Sequence, residues 1–128
     1  MQSSSPSPVR VVIAARTSVR DQLRDALAAA GIEVAATCGD VAELVAAIAR
    51  ERPDVCVLDR ELRGGAFGAT AAIATPRRTP RVLVVGGRGS PAERRAARLA
   101  GADDCLPSHI DAATVAAVVA MLARKEQP

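Results

Sequence analysis

The sequence predicts an α/β domain in which a doubly wound, five-stranded parallel sheet is covered by helices on both sides. Two observations lead to this fold class. Short apolar runs alternate with amphipathic helical segments five times from Val9 onward, and the runs are apolar on both faces, as in parallel sheets whose crossover helices cover them. The chain has 128 residues, of which 49% are hydrophobic, which suits one globular domain and is too short for two.

The five strands are expected at the apolar runs. In chain order these are 9–13, 32–37, 55–58, 82–85 and 105–106. Each is short and is followed by polar or small residues, so that each strand leads through a turn into a helix or a loop.

The first three helices are predicted from apolar positions that recur every three or four residues and from the residues that end them. The first begins near Val19 and ends at Gly31, since glycine favours a helix C-terminus. The second begins near Val41 and is stopped by Pro53. The third is rich in alanine and is expected over 68–75.

The last two helices begin at side chains that can cap them. Ser90 is followed by proline and then, two residues later, by Glu93; this pattern is a capping box, and Gly101 ends the fourth helix. Asp111 is expected to cap the fifth helix. The apolar stripe of that helix consists of Val115, Val118, Val119 and Leu122.

The predicted domain covers residues 9–124. Residues 1–8 have neither a basic region nor an apolar core, so we expect a disordered N-terminal tail and not a signal peptide. Residues 125–128 are expected to be a C-terminal tail or the start of a linker.

Composition argues against several classes of function. Phe67 is the only aromatic residue and the net charge is only +3, so neither stacking nor charge favours direct nucleic-acid binding. No apolar run approaches the ~18 residues of a membrane span. Cys38, Cys56 and Cys105 lack metal-ligand spacing, which indicates reduced, buried thiols and a cytoplasmic setting. His109 has no candidate nucleophile beside it, so we expect a structural or solvent role for it and no enzymatic activity.

Asp59 bears most directly on function. It ends the third apolar run, and the carboxyl ends of strands in open α/β sheets are where such folds bind ligands and carry out chemistry. Phosphorylation of a carboxylate would also need a divalent cation held by oxygen ligands and a cationic group that offsets the developing charge.

From Val9 to about Arg124 the chain resembles the receiver domain of bacterial response regulators. The segment 52–59 matches the one that carries the phosphoacceptor aspartate of that family, and 101–107 matches the approach to its last strand and loop. Residues of the first helix match as well: Val19, Arg20, Leu23, Ala26 and Leu27. The resemblance implies a flavodoxin-like (βα)5 fold and a place in two-component signal transduction or a phosphorelay.

Several positions depart from the pattern of that family. The metal-binding acidic pair would follow the first strand, where this chain has Ala14 and Ala15. Gly86 stands at the position of the switch hydroxyl, Ser108 at that of the lysine and Cys105 at that of the switch aromatic residue. Among these functional positions of the family, only the aspartate matches. We therefore expect a degenerate, or pseudo-, receiver domain that needs no Mg²⁺ or other cofactor and is not phosphorylated.

A buried carboxylate without metal or lysine must find a cation, find donors or become protonated. By topology Arg16 and Arg88 are the candidates to pair with Asp59. Failing that, we expect Asp59 to point into solvent.

These observations predict a non-enzymatic signalling module that acts through protein–protein contacts, either as a single-domain regulator or as the N-terminal module of a longer protein. A first alternative is a receiver that is phosphorylated on Asp59 and controls a separate DNA-binding output domain. A second is an anion or small-molecule sensor built from the glycine-rich loop 86–90 with Arg88, because backbone N–H groups at a helix N-terminus can cradle an anion.

The expected contact surface comprises the fourth helix, the fifth strand and the fifth helix, a face through which receiver domains commonly pair. Arg94, Arg95 and Arg98 lie on one side of the fourth helix. Val118 and Met121 are expected to stay partly exposed on the fifth, which gives an apolar centre with a basic rim. The partner would be a second copy of the chain or another protein, and not a membrane.

Overall fold

A computed structural model describes residues 8–73 and 80–124, which form one parallel sheet and its helices. In chain order the elements are β1 (Arg10–Ala14), α1 (Thr17–Ala29), β2 (Glu33–Cys38), α2 (Val41–Glu51), β3 (Val55–Asp59), α3 (Ala66–Ile73), β4 (Arg81–Val85), α4 (Pro91–Leu99), β5 (Asp104–Leu106) and α5 (Ala112–Ala123). The strand order is β2-β1-β3-β4-β5, and every pairing is parallel. The predicted doubly wound five-stranded sheet is therefore confirmed.

Several element boundaries differ from the prediction by one or two residues. The third helix begins at Ala66, two residues early, because the N–H of Ala69 already donates to the carbonyl of Gly65. Its predicted end at residues 74–75 lies outside the described residues, as do most of the N-terminal tail and the whole C-terminal tail.

The caps of the last two helices are the predicted ones. The hydroxyl of Ser90 accepts the N–H of Glu93, whose carboxylate accepts the N–H of Ser90 in return. The carboxylate of Asp111 accepts the N–H of Thr114. These local signals mark where α4 and α5 begin.

The hydrophobic core consists of two layers, one on each side of the sheet. Alternate residues of the central strands β1, β3 and β4 face α2, α3 and α4 on one side, and the residues between them face α1 and α5 on the other. These three strands are almost wholly buried, as predicted. The edge strand β2 is only partly covered, because it pairs with β1 alone.

The direction of the strands determines where a site can form. Because all five strands are parallel, their carboxyl ends meet at one edge of the sheet, here called the carboxyl edge. Along this edge Ala14 is in register with Leu58, and Asp59 is in register with Val85. None of the described helices is long and apolar enough to cross a bilayer.

Candidate functional site at the carboxyl edge

The structure brings most of the predicted site residues to the carboxyl edge. Ala14 ends β1, Asp59 ends β3, Gly86 follows β4 and Ser108 follows β5. Ala14 and the next residue, Ala15, are both completely buried. The loops after these strands therefore surround the carboxylate of Asp59.

Asp59 is almost fully buried, with 1% of its side chain exposed, and it accepts four hydrogen bonds. Oδ2 accepts the Nε–H of Arg16 at 2.7 Å and the backbone N–H of Arg16 at 3.0 Å. Oδ1 accepts the Nη2–H of Arg16 at 3.2 Å and the backbone N–H of Glu61 at 2.9 Å. The Arg16 side chain thus forms a two-pronged ion pair with the buried carboxylate, the geometry that fits guanidinium to carboxylate best.

Burial and hydrogen bonding act on the pKa of Asp59 in opposite directions. Burial raises it, because the charged form loses its hydration. The hydrogen bonds from the side chain and backbone of Arg16 and from the backbone of Glu61 lower it, and together they outweigh burial. The net pKa lies below the ordinary value, so Asp59 is ionised at neutral pH.

The residues around Asp59 do not fit the divalent cation that a receiver domain uses. Mg²⁺ needs oxygen ligands in a near-octahedral arrangement. Ala14 and Ala15 offer methyl groups, and both oxygens of Asp59 already accept two N–H groups each. Within residues 8–73 and 80–124, no three His, Cys, Asp or Glu side chains come together in a way that could hold a metal.

Gly86 stands at the expected position of the switch hydroxyl, and the structure leaves little room for a side chain there. Its φ of +142° is rarely adopted by residues with a Cβ. A Cβ built on Gly86 would lie 2.7 Å from the Cβ of Arg60. The loop that follows β3 therefore occupies the space into which the side chain of a threonine or serine at position 86 would extend.

Arg60 connects this loop to the start of α4. Its N–H donates to the carbonyl of Val85 at 2.8 Å, its guanidinium pairs with the carboxylate of Glu93, and it lies 5.9 Å from the ring centroid of Phe67. A Cβ on Gly87 would lie 2.5 Å from Nη1 of Arg60, so this glycine too makes room for the arginine. The sequence interpretation did not identify the role of Arg60. The feature that could have indicated this role is its position directly after Asp59.

Three N–H groups of the glycine-rich loop 86–90 have partners within the domain, and that of Gly86 donates to the carbonyl of Leu106. The backbone N–H groups of Arg88 and Ser90 both donate to Oε1 of Glu93 at 3.0 Å. These hydrogen bonds, with the nearby guanidinium of Arg60, lower the pKa of Glu93 to about 2 against the opposing effect of burial. The carboxylate of Glu93 thus takes the place of an external anion at these two N–H groups. Arg88 itself is exposed and makes no described contact with Asp59.

The remaining predicted positions play smaller parts in the geometry. Ser108 is exposed, and its hydroxyl donates to the carbonyl of Gly87 at 3.2 Å. Cys105 is buried on β5, and burial raises the pKa of its thiol. Cys38 and Cys56 are also free and buried, as predicted. His109 is exposed on the loop before α5.

The expected contact surface includes one apolar residue that the sequence interpretation missed. Leu99 is 82% exposed at the end of α4, beside a shallow groove lined by Pro91 and the three arginines Arg94, Arg95 and Arg98. Met121 on α5 is 51% exposed. The buried residue of α4 is Ala97, and Leu99 lies outside that buried stripe. This position is the feature of the sequence that could have indicated its exposure.

Val118 differs from Met121 in its surroundings. It is half-buried and packs against the core layer on the side of the sheet that α1 and α5 cover. It therefore contributes less to the surface than Met121, whereas Val115, Val119 and Leu122 face the sheet as predicted.

Comparison with known proteins agrees with this geometry. The model of the response regulator receiver domain family matches residues 11–120. Among solved structures, the signal receiver domain of NarL from Mycobacterium tuberculosis is similar at 26% identity and a TM-score of 0.85, covering 94% of this chain and 100% of that one. A LuxR-family two-component response regulator from Aurantimonas sp. SI85-9A1 is 27% identical with a TM-score of 0.81, covering 95% and 91%.

A third solved structure shares the fold at lower identity. The chemotaxis response regulator CheY4 of Vibrio cholerae is 20% identical with a TM-score of 0.79, covering 91% of this chain and 99% of that one. No match was found among curated protein sequences. The family match, the strand order and an aspartate at the end of β3 agree, and the chain belongs to the response regulator receiver domain family.

Proposed function

We propose that this receiver domain signals through protein–protein contacts in one fixed conformation, without phosphorylation of Asp59 and without enzymatic activity. The observation that carries the proposal is the pairing of Asp59 with Arg16. The guanidinium covers both oxygens of the carboxylate, and the backbone N–H groups of Arg16 and Glu61 complete its four hydrogen bonds. An incoming phosphoryl group would have to displace this arginine and would meet no metal ligand from Ala14 or Ala15.

The contacts of Arg60 also support a single conformation. A switch needs two states and a ligand that prefers one of them. Here Arg60 fills the space next to Gly86 and holds Glu93 at the start of α4. The start of α4, which would respond to a phosphoryl group, is already held by an ion pair to the loop after Asp59.

Acetyl phosphate with Mg²⁺, followed by intact-mass spectrometry, tests the absence of phosphorylation. We expect no phosphoryl adduct, while a receiver domain with the full acidic pair and lysine, treated in parallel, acquires one. An adduct on the wild type that disappears in Asp59→Asn would overturn the proposal and support the alternative, a phosphorylatable receiver that controls a separate DNA-binding output domain.

The surface proposed for protein contact comprises α4, β5 and α5. Leu99 supplies an exposed apolar side chain among three arginines, and Met121 supplies a second on α5. Apolar side chains beside arginines are typical of protein interfaces. Basic side chains around an apolar centre fit a partner with acidic residues around an apolar pocket. A second copy of the chain would bring the same three arginines to the contact, so its pairing would rest on the apolar side chains, and it is tested first.

Sedimentation of the wild type against Leu99→Glu, Met121→Glu tests the homodimer. We expect dimers at about 100 µM in the wild type and monomers in the double variant, with no effect of acetyl phosphate. Val45→Glu is the matched control, because Val45 is 48% exposed on α2, a helix outside the proposed surface. A dimer that survives the double variant would place the interface elsewhere; a wild-type monomer would leave a different protein as the partner.

A further inference from the structure

A cleft of about 140 Å³ lies beside Asp59, between α1 and the start of α5. Its walls are mainly apolar: Val19, Leu23 and Ala26 come from α1, and Ile110 and Val115 from the α5 side. Small side chains leave this space open where the two helices meet the carboxyl edge. A cavity of about this volume accommodates a body the size of benzene.

The mouth of the cleft combines the positive charge of Arg16 with two neutral polar side chains, Gln22 and Ser108, which can donate or accept hydrogen bonds. Arg16 lines it with a side chain that is 51% exposed, and among the described residues its Nη1 has no hydrogen-bond partner. Gln22, also exposed, lines it too. Asp59 is present, but both of its oxygens already accept two N–H groups each. A ligand would therefore meet a guanidinium edge with free N–H groups and a carboxylate with no free site.

Together these features specify a ligand with two parts. A compact apolar body suits the walls, and an acceptor that carries negative charge suits the outer edge of Arg16, since guanidinium binds carboxylates strongly. A cation would approach Arg16 unfavourably and find no unoccupied oxygen on Asp59. A free inorganic anion would leave the apolar walls in contact with water.

We propose that this cleft binds a small monocarboxylate whose apolar body is about the size of a benzene ring, with its carboxylate on Arg16. Gly86 lines the cleft, but the remainder of the glycine-rich loop does not, and the N–H groups of Arg88 and Ser90 in that loop donate to Glu93. The proposal does not depend on the signalling function, because the cleft is formed by the folded domain with Asp59 unmodified. A ligand bound there would contact the one ion pair that holds Asp59.

Titration by methyl and amide NMR tests the proposal, with sodium benzoate as the probe. We expect saturable shifts of the Leu23 and Val115 methyl signals, with a Kd of about 1 mM for so small a ligand. Acetate has the charge without the apolar body; benzyl alcohol and benzylamine have the body without the negative charge. Each should bind at least about tenfold more weakly. Benzyl alcohol or benzylamine binding as tightly as benzoate would overturn the role of Arg16.

Two pairs of variants locate the binding. Ala26→Leu adds bulk inside the cleft, and Ala29→Leu adds the same bulk to α1 at an exposed position that does not line it. We expect at least about tenfold weaker benzoate binding in the first variant and no change in the second. Should Ala26→Leu fail to fold, Ala112→Leu with Ala113→Leu as its control makes the same comparison on α5. Unchanged binding in the cleft-filling variant would overturn the proposed site.

Discussion

Two arginine–carboxylate pairs lie at the carboxyl edge, and they differ in how much the carboxylate depends on its arginine. In the first pair Asp59 is 1% exposed and Arg16 is 51% exposed. In the second pair Glu93 and Arg60 are 18% and 33% exposed, and Glu93 also accepts two backbone N–H groups at the start of α4. Asp59 likewise keeps two backbone N–H donors, so burial makes the difference: water can replace a lost cation at the partly exposed Glu93 but not at the buried Asp59.

The difference separates two tasks within the site. The pair of Arg16 and Asp59 neutralises a charge that the fold has buried at the end of β3. The pair of Arg60 and Glu93 fixes the position of the loop between β4 and α4. The first pair therefore bears on whether Asp59 is available for chemistry, and the second on whether the loop can move.

The largest expected effect comes from breaking the first pair. Arg16→Met removes the guanidinium and leaves Asp59 buried with only the N–H groups of residues 16 and 61. We expect Tm to fall by about 8 °C at pH 7, because an uncompensated buried carboxylate is costly. Arg24→Met is the control: its partner Asp21 is 56% exposed, so Tm should change by about 1 °C or less.

Thermal melts of both variants provide the measurement. A further variant, Arg16→Met with Asp59→Leu, removes the buried charge as well, and it should recover much of the lost Tm. Equal Tm values for wild type and Arg16→Met would show that Arg16 does not hold Asp59.

Breaking the second pair should have a smaller effect on stability and a local effect on motion. Arg60→Met removes the ion pair with Glu93 and the contact with Phe67. We expect Tm to fall by about 3 °C, since Glu93 keeps its two backbone donors. Amide hydrogen exchange should become faster in the loop 86–90 and stay unchanged in β1 and β3.

Arg63→Met is the matched control for this prediction. Arg63 is an exposed arginine in the loop between β3 and α3, which also contains Arg60, and it has no described ion pair. Its melt and exchange rates should match the wild type. Faster exchange throughout the sheet in Arg60→Met would mean that Arg60 supports the whole fold and not this loop alone.

The sequence predicted the fold better than it predicted the site. The strands and the caps of α4 and α5 are local patterns, and the sheet follows from them because parallel strands need crossover helices. The choice between Arg16 and Arg88 as partner of Asp59 was left open, since both follow strands that flank β3. Only the three-dimensional structure shows that the Arg88 loop is folded back onto Glu93.

The residues that the sequence interpretation missed depend on contacts across the sheet. Arg60 acquires its role because Gly86 and Gly87, on the neighbouring strand end, leave space for its side chain. Leu99 is exposed because α4 packs through Ala97 on another face. Neither the register of the strands nor the rotation of a short helix is visible in local composition, so these contacts could not be predicted from periodicity.

The smallest expected effect is a change in how stability depends on pH. The pKa of Glu93 in the folded state is about 2, below the ordinary glutamate value of about 4.3. Between these two pH values the unfolded chain binds more protons at this residue than the folded chain does. Its contribution to stability is therefore complete above pH of about 4.3 and is lost as the pH falls toward 2.

Glu93→Gln keeps an oxygen that can accept the N–H groups of the loop but removes the charge that pairs with Arg60. We expect the free energy of unfolding of the variant, measured by urea denaturation, to be lower than that of the wild type at pH 7. The difference should shrink as the pH is lowered from about 4.3 toward 2, because the wild type alone loses the contribution of an ionised Glu93. Asp111→Asn tests whether any capping carboxylate behaves in this way, since the pKa of Asp111 is also lowered but no arginine in the described part of the chain pairs with it. A wild-type–variant difference for Glu93 that stays constant across this pH range would show that its hydrogen bonds, and not its charge, hold the loop.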